Sequence, residues 1–293
     1  MDNQKPNLYT IKGGIGKCVA FTALIEQLAK KDGKKIVVGA GYPGVFNAHP
    51  NVAGTLKGIT EQAITPVADQ FDNIVWREPY VSNYCKGNSH ILDEWAKLYG
   101  MKPLKGGGYN SRPDLVVPEG FQKQSEELKS RIEKPFFIVQ WTGGQPPNNF
   151  NNKKKYPDNY LTKGRNVRNY QEIMLALAEE YPDHQFLIFA LPNEPIEVPA
   201  SLKSRVLRAK AGVLAFADLL RSADSFIALD SCLQHFGAAR QIDKKGVVLW
   251  GQTTRPERIG YSCHTNLNSS DDDQVIVPVP DVLDSLKAIL NDK

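Results

Sequence analysis

The residues best suited to chemistry stand at one strand-to-helix junction, Ser225 to Arg240, SFIALDSCLQHFGAAR. Apolar Phe226, Ile227 and Leu229 run into Asp230, then Ser231 and Cys232 open a helix carrying His235. A strand that ends in this way presents a carboxylate and the free N–H groups of a helix start at a single point. Unpaired amides and the helix dipole both favour a phosphate there. The alternative is an Asp or Ser N-cap on an ordinary crossover helix. A second cluster, KGGIGKC from Lys12 to Cys18, follows the first predicted strand. Gly13, Gly14 and Gly16 suit a tight turn around an anion, and Lys17 adds positive charge to it.

The elements that must position these residues alternate along the chain. The pattern predicts a strand over 7–11, a helix over 17–31 ended by Gly33, and a strand over 34–40. A strand at 71–76 and a helix at 90–100, with Ile91, Leu92, Trp95 and Leu98 facing inward, come next. Then follow an apolar strand DLVV at 114–117 and a polar helix at 121–132. Glu133-Lys134-Pro135 is the expected join between domains. Beyond it, strands are predicted at 135–141, 184–191, at VLRA, into Asp230, at 246–251 and at VIVPV, with helices at 169–180, 214–221 and 281–290. The segment 146–164 reads as a long polar loop. Two successive α/β halves predict two Rossmann-like domains, 1–133 and 134–293, facing a cleft, with the last helix free to return to the first half.

Bulk properties bound the function. Hydrophobic content of 41% and charged content of 23% are those of a globular protein, and no apolar run is long enough to span a bilayer. The first residues lack the apolar core of a signal peptide. Four cysteines without a CxxC pair argue against structural zinc or a disulfide scaffold and fit a reducing cytoplasm. The net charge of +4 is spread over both halves and suits an anionic partner without announcing nucleic acid. Asp271 to Asp273 reads as a solvated turn rather than a metal motif, and Lys153 to Lys155 as exposed charge.

Taken together, GGIG at 13–16, HPNV at 49–52, FIVQWTGG at 137–144, FADLLRSADSFIALDSCLQHFGAA at 216–239 and VVLWGQTTRPERIGY at 247–261 resemble the heptosyltransferase-like glycosyltransferases, glycosyltransferase family 9. The resemblance covers most of the chain. It implies a GT-B fold and transfer of a sugar, with inversion and without metal, from a nucleotide diphosphate sugar to an acceptor hydroxyl. The donor is a substrate; no permanently bound cofactor is implied. Asp230, Ser231, Cys232 and His235 would line the donor sugar and phosphates, with Thr142 and Gly143 as the facing phosphate loop. Thr253 would lie in the Gly-x-Thr loop, and Lys163, Arg165 or Arg168 would supply positive charge. The implied acceptor is an anionic glycan of the lipopolysaccharide type.

Two departures matter. Cys232 replaces a family glycine, and Lys17 replaces the aspartate thought to deprotonate the acceptor. A protonated lysine accepts no proton, so another base (Glu26, His49, His90 or Asp93), a different acceptor, or an inactive sugar-nucleotide-binding protein follows. A basic, compact member also suits a phage-type enzyme acting on hydroxymethylated cytosine in DNA. KGGIGKC further resembles the variant Walker A loop of MinD and ParA ATPases, although Cys18 is a poor magnesium ligand where those carry Ser or Thr.

Overall fold

The computed structural model describes residues 5–58, 60–81, 89–143, 166–190, 194–251, 255–269 and 275–292. The first half contains strands β1 (Leu8–Ile11), β2 (Ile36–Ala40), β3 (Val52–Lys57) and β4 (Ile74–Val75), with helices α1 (Ile15–Asp32), α2 (Glu61–Ile64), α3 (Ile91–Leu98) and α4 (Glu119–Lys129). The second contains strands β5 (Phe136–Gln140), β6 (Gln185–Ile188), β7 (Val206–Arg208), β8 (Ser225–Leu229), β9 (Val247–Trp250) and β10 (Thr265–Asn268). Its helices are α5 (Tyr170–Glu180), α6 (Val213–Leu219), α7 (Cys232–Ala238), α8 (Pro256–Ile259) and α9 (Val279–Asn291).

Two parallel sheets result, ordered β3-β2-β1-β4 and β10-β9-β8-β5-β6-β7. β5 and β8 are buried at every position, as parallel strands covered on both faces must be. In each sheet the chain winds outward in one direction and then returns beside its first strand, and in the larger sheet it continues the other way through β9 and β10. The switch points therefore fall between β1 and β4 and between β5 and β8. The carboxyl ends of strands at such a point leave a crevice for ligands.

One apolar core joins the halves. It runs from Phe21, Leu24 and Trp95 through Leu233 and Phe236 to Phe136, Phe216 and Trp250. A second core fills the opposite face of the larger sheet, where Ile173 and Met174 of α5 meet Leu286 of α9. The last helix, read as free to return to the first half, spends its apolar stripe of Val282, Leu286 and Ile289 on the second sheet. Helix α4 precedes the expected join yet packs on α6, with Gly212 N donating to Gln124 Oε1 at 3.0 Å.

Several elements differ from expectation for local reasons. Residues 114–117 form no strand; Leu115 and Val117 are buried in a segment without ladder partners. β4 shrinks to two residues. β3, α2, α8 and β10 were not foreseen, being short or half-exposed edge elements with mixed polarity. VIVPV contributes only a bridge from Val275 to Val167 before α9 begins. Leu98 is half-buried and Tyr99 takes its inward place. The Lys153 to Lys155 and Asp271 to Asp273 runs lie outside the described residues.

Candidate functional site: two switch-point crevices

The second crevice lies between the ends of β5 and β8. Asp230 and Ser231 are both buried to 8% exposure. Asp230 Oδ1 accepts from Gln234 Nε2 at 2.8 Å, one turn along α7. Ser231 is the N-cap of α7 by position, but its hydroxyl does not cap the helix; it donates to Gln140 Oε1 across the switch point. Gln140 Nε2 in turn donates to the Thr142 carbonyl at 3.2 Å. A polar chain thus fixes the two strand ends against each other, and Ser231 leaves the first-turn amides of α7 to other acceptors. Thr142 pairs as an isolated bridge with Asn166, which brings half-buried Arg168 alongside the loop. The Thr142 hydroxyl is buried with no hydrogen-bond partner among the described residues. Thr142 was expected at this site, whereas Gln140 and Gln234 were not singled out, and the register of β5 against β8 places Gln140 beside Ser231. Gly143 is half-buried beside Thr142, whereas Lys163, Arg165 and Thr253 lie outside the described residues.

The first crevice lies between the ends of β1 and β4. Gly13 has φ +126°, a region L side chains rarely adopt, and a Cβ there would come within 2.9 Å of the Lys17 stem. Gly14 caps α1 and faces open space. Lys17, 5% exposed, turns under this loop, where its ammonium pairs with Glu78 just beyond β4 and lies 3.8 Å from the Tyr80 ring centroid. The anion expected at Lys17 is therefore met within the chain by Glu78, a residue the sequence reading missed. Cys18, the third Walker-type position, is fully buried, and burial pushes its thiol up to about 12. A thiol held in the core has no access to a nucleotide-bound cation, which removes the structural basis of the ATPase reading.

The two crevices meet because α1 and α7 touch. A Cβ on Gly16 would fall 2.7 Å from His235 Cδ2 and 3.3 Å from Cys232 Cα, so glycine is what permits this approach. His235 is 2% exposed, and its Nδ1 hydrogen-bonds Tyr261 Oη at 2.7 Å. It thus forms the floor where the halves join, one helical turn below the mouth where Ser231 and Cys232 stand. His90 and His264 complete a ring around buried Tyr261, with centroids 6.4 and 6.2 Å from it. His90 Nδ1 accepts from Leu92 N at 3.2 Å as the cap of α3, and Nε2 donates to the Gly260 carbonyl at 3.0 Å. Burial lowers His90 and His264 to about 4, so both are neutral at pH 7. The remaining base candidates are committed elsewhere. His49 is buried 3.3 Å from Asp114, Asp93 accepts from Gly108 N at 2.9 Å, and Glu26 pairs with Lys30 on the surface.

No family model and no curated protein matches the sequence. Solved structures do match the fold. A glycosyl transferase family 9 protein from Veillonella parvula DSM 2008 superposes with TM-score 0.68 at 12% identity, over 100% of this chain and 99% of that one. E. coli ADP-heptose lps heptosyltransferase II gives 0.65 at 14% identity, over 98% and 99%. E. coli heptosyltransferase WaaC with ADP gives 0.58 at 11% identity, over 97% and 99%. The two parallel α/β sheets with facing switch points are thus a GT-B fold. Within that class the architecture is heptosyltransferase-like across the whole chain, as the ordered motifs implied.

Proposed function

We propose that the chain is a glycosyltransferase that moves a sugar from a nucleotide diphosphate sugar to an acceptor hydroxyl, inverting the anomeric carbon without a metal. The observation that carries this reading is the pair of switch-point crevices brought face to face by the contact of Gly16 with Cys232 and His235. Ligands of open α/β sheets bind at such crevices, and a shared cleft gives donor and acceptor one meeting point. In this reading residues 134–293 take the donor and residues 1–133 the acceptor. The diphosphate lies between Thr142–Gly143 and the Ser231–Cys232 helix start, where backbone amides, Arg168, and Lys163 or Arg165 offset the charge of the leaving group. Asp230 acts at the donor sugar. His235 holds α7 at its distance rather than touching phosphate.

Two of the matched structures are of heptosyltransferases, one of them named for lps, which favours an anionic glycan of the lipopolysaccharide type over hydroxymethylated DNA as acceptor. Among the described residues no helix is long and apolar enough to cross a membrane, and a cytoplasmic enzyme meeting a membrane-borne glycan at its surface fits that. Since one neighbour was solved with ADP, ADP-sugars are the first donors to try. The test is thermal shift with ADP-, UDP-, GDP- and CMP-sugars beside ATP–magnesium. A nucleotide diphosphate sugar should raise the melting temperature by several degrees. Stabilisation by ATP–magnesium alone would overturn the reading.

A further inference from the structure

Transfer to a hydroxyl needs a group to take its proton, and the glycine turn offers an ammonium, Lys17, in the place a base would occupy. Glu78 stands beside it. β4 runs parallel to β1, so the segment leaving β4 reaches the same crevice as the glycine turn leaving β1. The Glu78 side chain is 23% exposed, whereas that of Lys17 is 4% exposed. Its Oε1 is held by Lys17, and among the described residues Oε2 makes no hydrogen bond. An ion pair with one partner buried under the loop and the other half-buried holds the carboxylate in one orientation. The exposed Tyr80 ring, 46% accessible, packs over the ammonium from the solvent side. The stem of Lys17 lies against Gly13, so the glycine turn itself fixes the pair.

We propose that Glu78 is the catalytic base for the acceptor hydroxyl, with Lys17 as the residue that positions it at the β1–β4 switch point. This rests on the glycosyltransferase reading above. In the step, the acceptor oxygen forms a bond to the anomeric carbon while the bond from that carbon to the diphosphate oxygen breaks. The bonding pair leaves with the nucleoside diphosphate, and the hydroxyl proton passes to the Glu78 carboxylate. The sequence departure at Lys17 is then a transposition: the carboxylate is supplied from the neighbouring strand end, and the lysine becomes its counter-ion.

The test uses the full chain with ADP-glucose, UDP-glucose, GDP-mannose and ADP-heptose as donors, and water and methyl glycosides as acceptors. Donor binding is followed by calorimetry and turnover by release of nucleoside diphosphate. Glu78→Gln should lower kcat by about 100-fold or more while donor Kd stays within about twofold. Lys17→Met/Glu78→Gln, which removes both charges and so keeps the fold if the single variant loses it, should be equally slow. Sodium formate should raise the Glu78→Ala rate at least about threefold by supplying a carboxylate in the vacated space. A fast double variant would reduce Glu78 to a counter-ion and overturn the proposal, as would a fast Glu78→Gln or a failed formate rescue. Wild-type protein that binds a donor but releases no nucleoside diphosphate overturns it while leaving donor binding intact. Wild-type protein that binds none of the donors overturns the glycosyltransferase reading itself, and the base assignment with it.

Discussion

Gly16→Ala is the sharpest probe of how the two halves are joined. The added methyl would sit 2.7 Å from His235 Cδ2, 3.1 Å from its Nε2 and 3.3 Å from Cys232 Cα. The last of these is backbone in α7 and cannot yield alone. The imidazole is buried and tied through Nδ1 to Tyr261 Oη at 2.7 Å, so a shift toward ordinary contact strains or breaks that bond. Overpacking of this kind costs about 1–3 kcal/mol, and a buried bond left unmade costs a similar amount. Replacing glycine by alanine in a helix returns up to about 1 kcal/mol, less in the first turn. The net expectation is about 1–3 kcal/mol of destabilisation, or roughly 2–5 °C in melting temperature for a chain of this size. Gly14→Ala, whose methyl meets open space, is the control and should lose no more than about 1 kcal/mol. In a His235→Ala background the cost of Gly16→Ala should shrink by at least about 1 kcal/mol, since the obstructing ring is gone. Thermal and urea melts read all four variants. Gly16→Ala melting within about 1 °C of wild type would refute the close contact and with it the registered cleft.

Other sites give independent tests. Asp230→Ala removes the carboxylate that accepts from Gln234 Nε2, and Gln234 Oε1 already lacks a partner among the described residues. It should therefore cost about 1–3 kcal/mol as well as transfer. Adding Gln234→Leu should recover stability in urea melts but not turnover. Thr142→Val replaces an unpartnered buried hydroxyl by an isosteric methyl and should melt at or above wild type. Its donor affinity, read by calorimetry, should fall about 3- to 30-fold if that hydroxyl meets phosphate. His90 and His264 titrate near 4 in the native protein, against 6.5 when unfolded. The unfolded chain thus binds more protons between those values, so stability is complete above pH 6.5 and lost as pH falls through 4. Each contributes about 3 kcal/mol across that window, and His264→Gln should flatten the fall of melting temperature between pH 7 and 4.5. An unchanged slope would remove His264 from the account.

Patterning made the β8–α7 junction legible because its information is local. Phe226 to Leu229 announce a buried strand, and Asp230-Ser231 a helix start, within one stretch of chain. What periodicity could not convey was how deep each helical residue lies. His235 follows Ser231 by about one turn, which carries it from the mouth of the cleft to its floor beneath Gly16. Half-exposed edge strands such as Thr265–Asn268 gave no alternation to read. Leu115 and Val117 looked like a strand because burial against α-helical neighbours leaves the same apolar signature as burial in a sheet.

The surroundings of Lys17 stayed hidden for a different reason. Lys17 and Glu78 are 61 positions apart, and only the parallel pairing of β1 with β4 brings their segments together. A single position carries no sign of a distant partner, so on the proposed assignment a base moved from one loop to another would look like a lost function. The geometry makes such an exchange physically admissible only if the walls of the cleft keep their register. Here they are pinned from several sides. Arg112 Nε donates to the Ala238 carbonyl at 2.8 Å, Asn266 Nδ2 donates to Tyr109 Oη at 3.1 Å, and His90 spans to Gly260. Each of these bonds ties the first half, or the segment leaving it, to α7, to β10 or to the end of α8. A carboxylate delivered from β4 then stands in a fixed place relative to the Ser231 mouth, whichever loop carries it. The same pinning argues that any opening of this protein swings the outer strands and loops about a floor made by Gly16, His235 and Tyr261, and does not part α1 from α7.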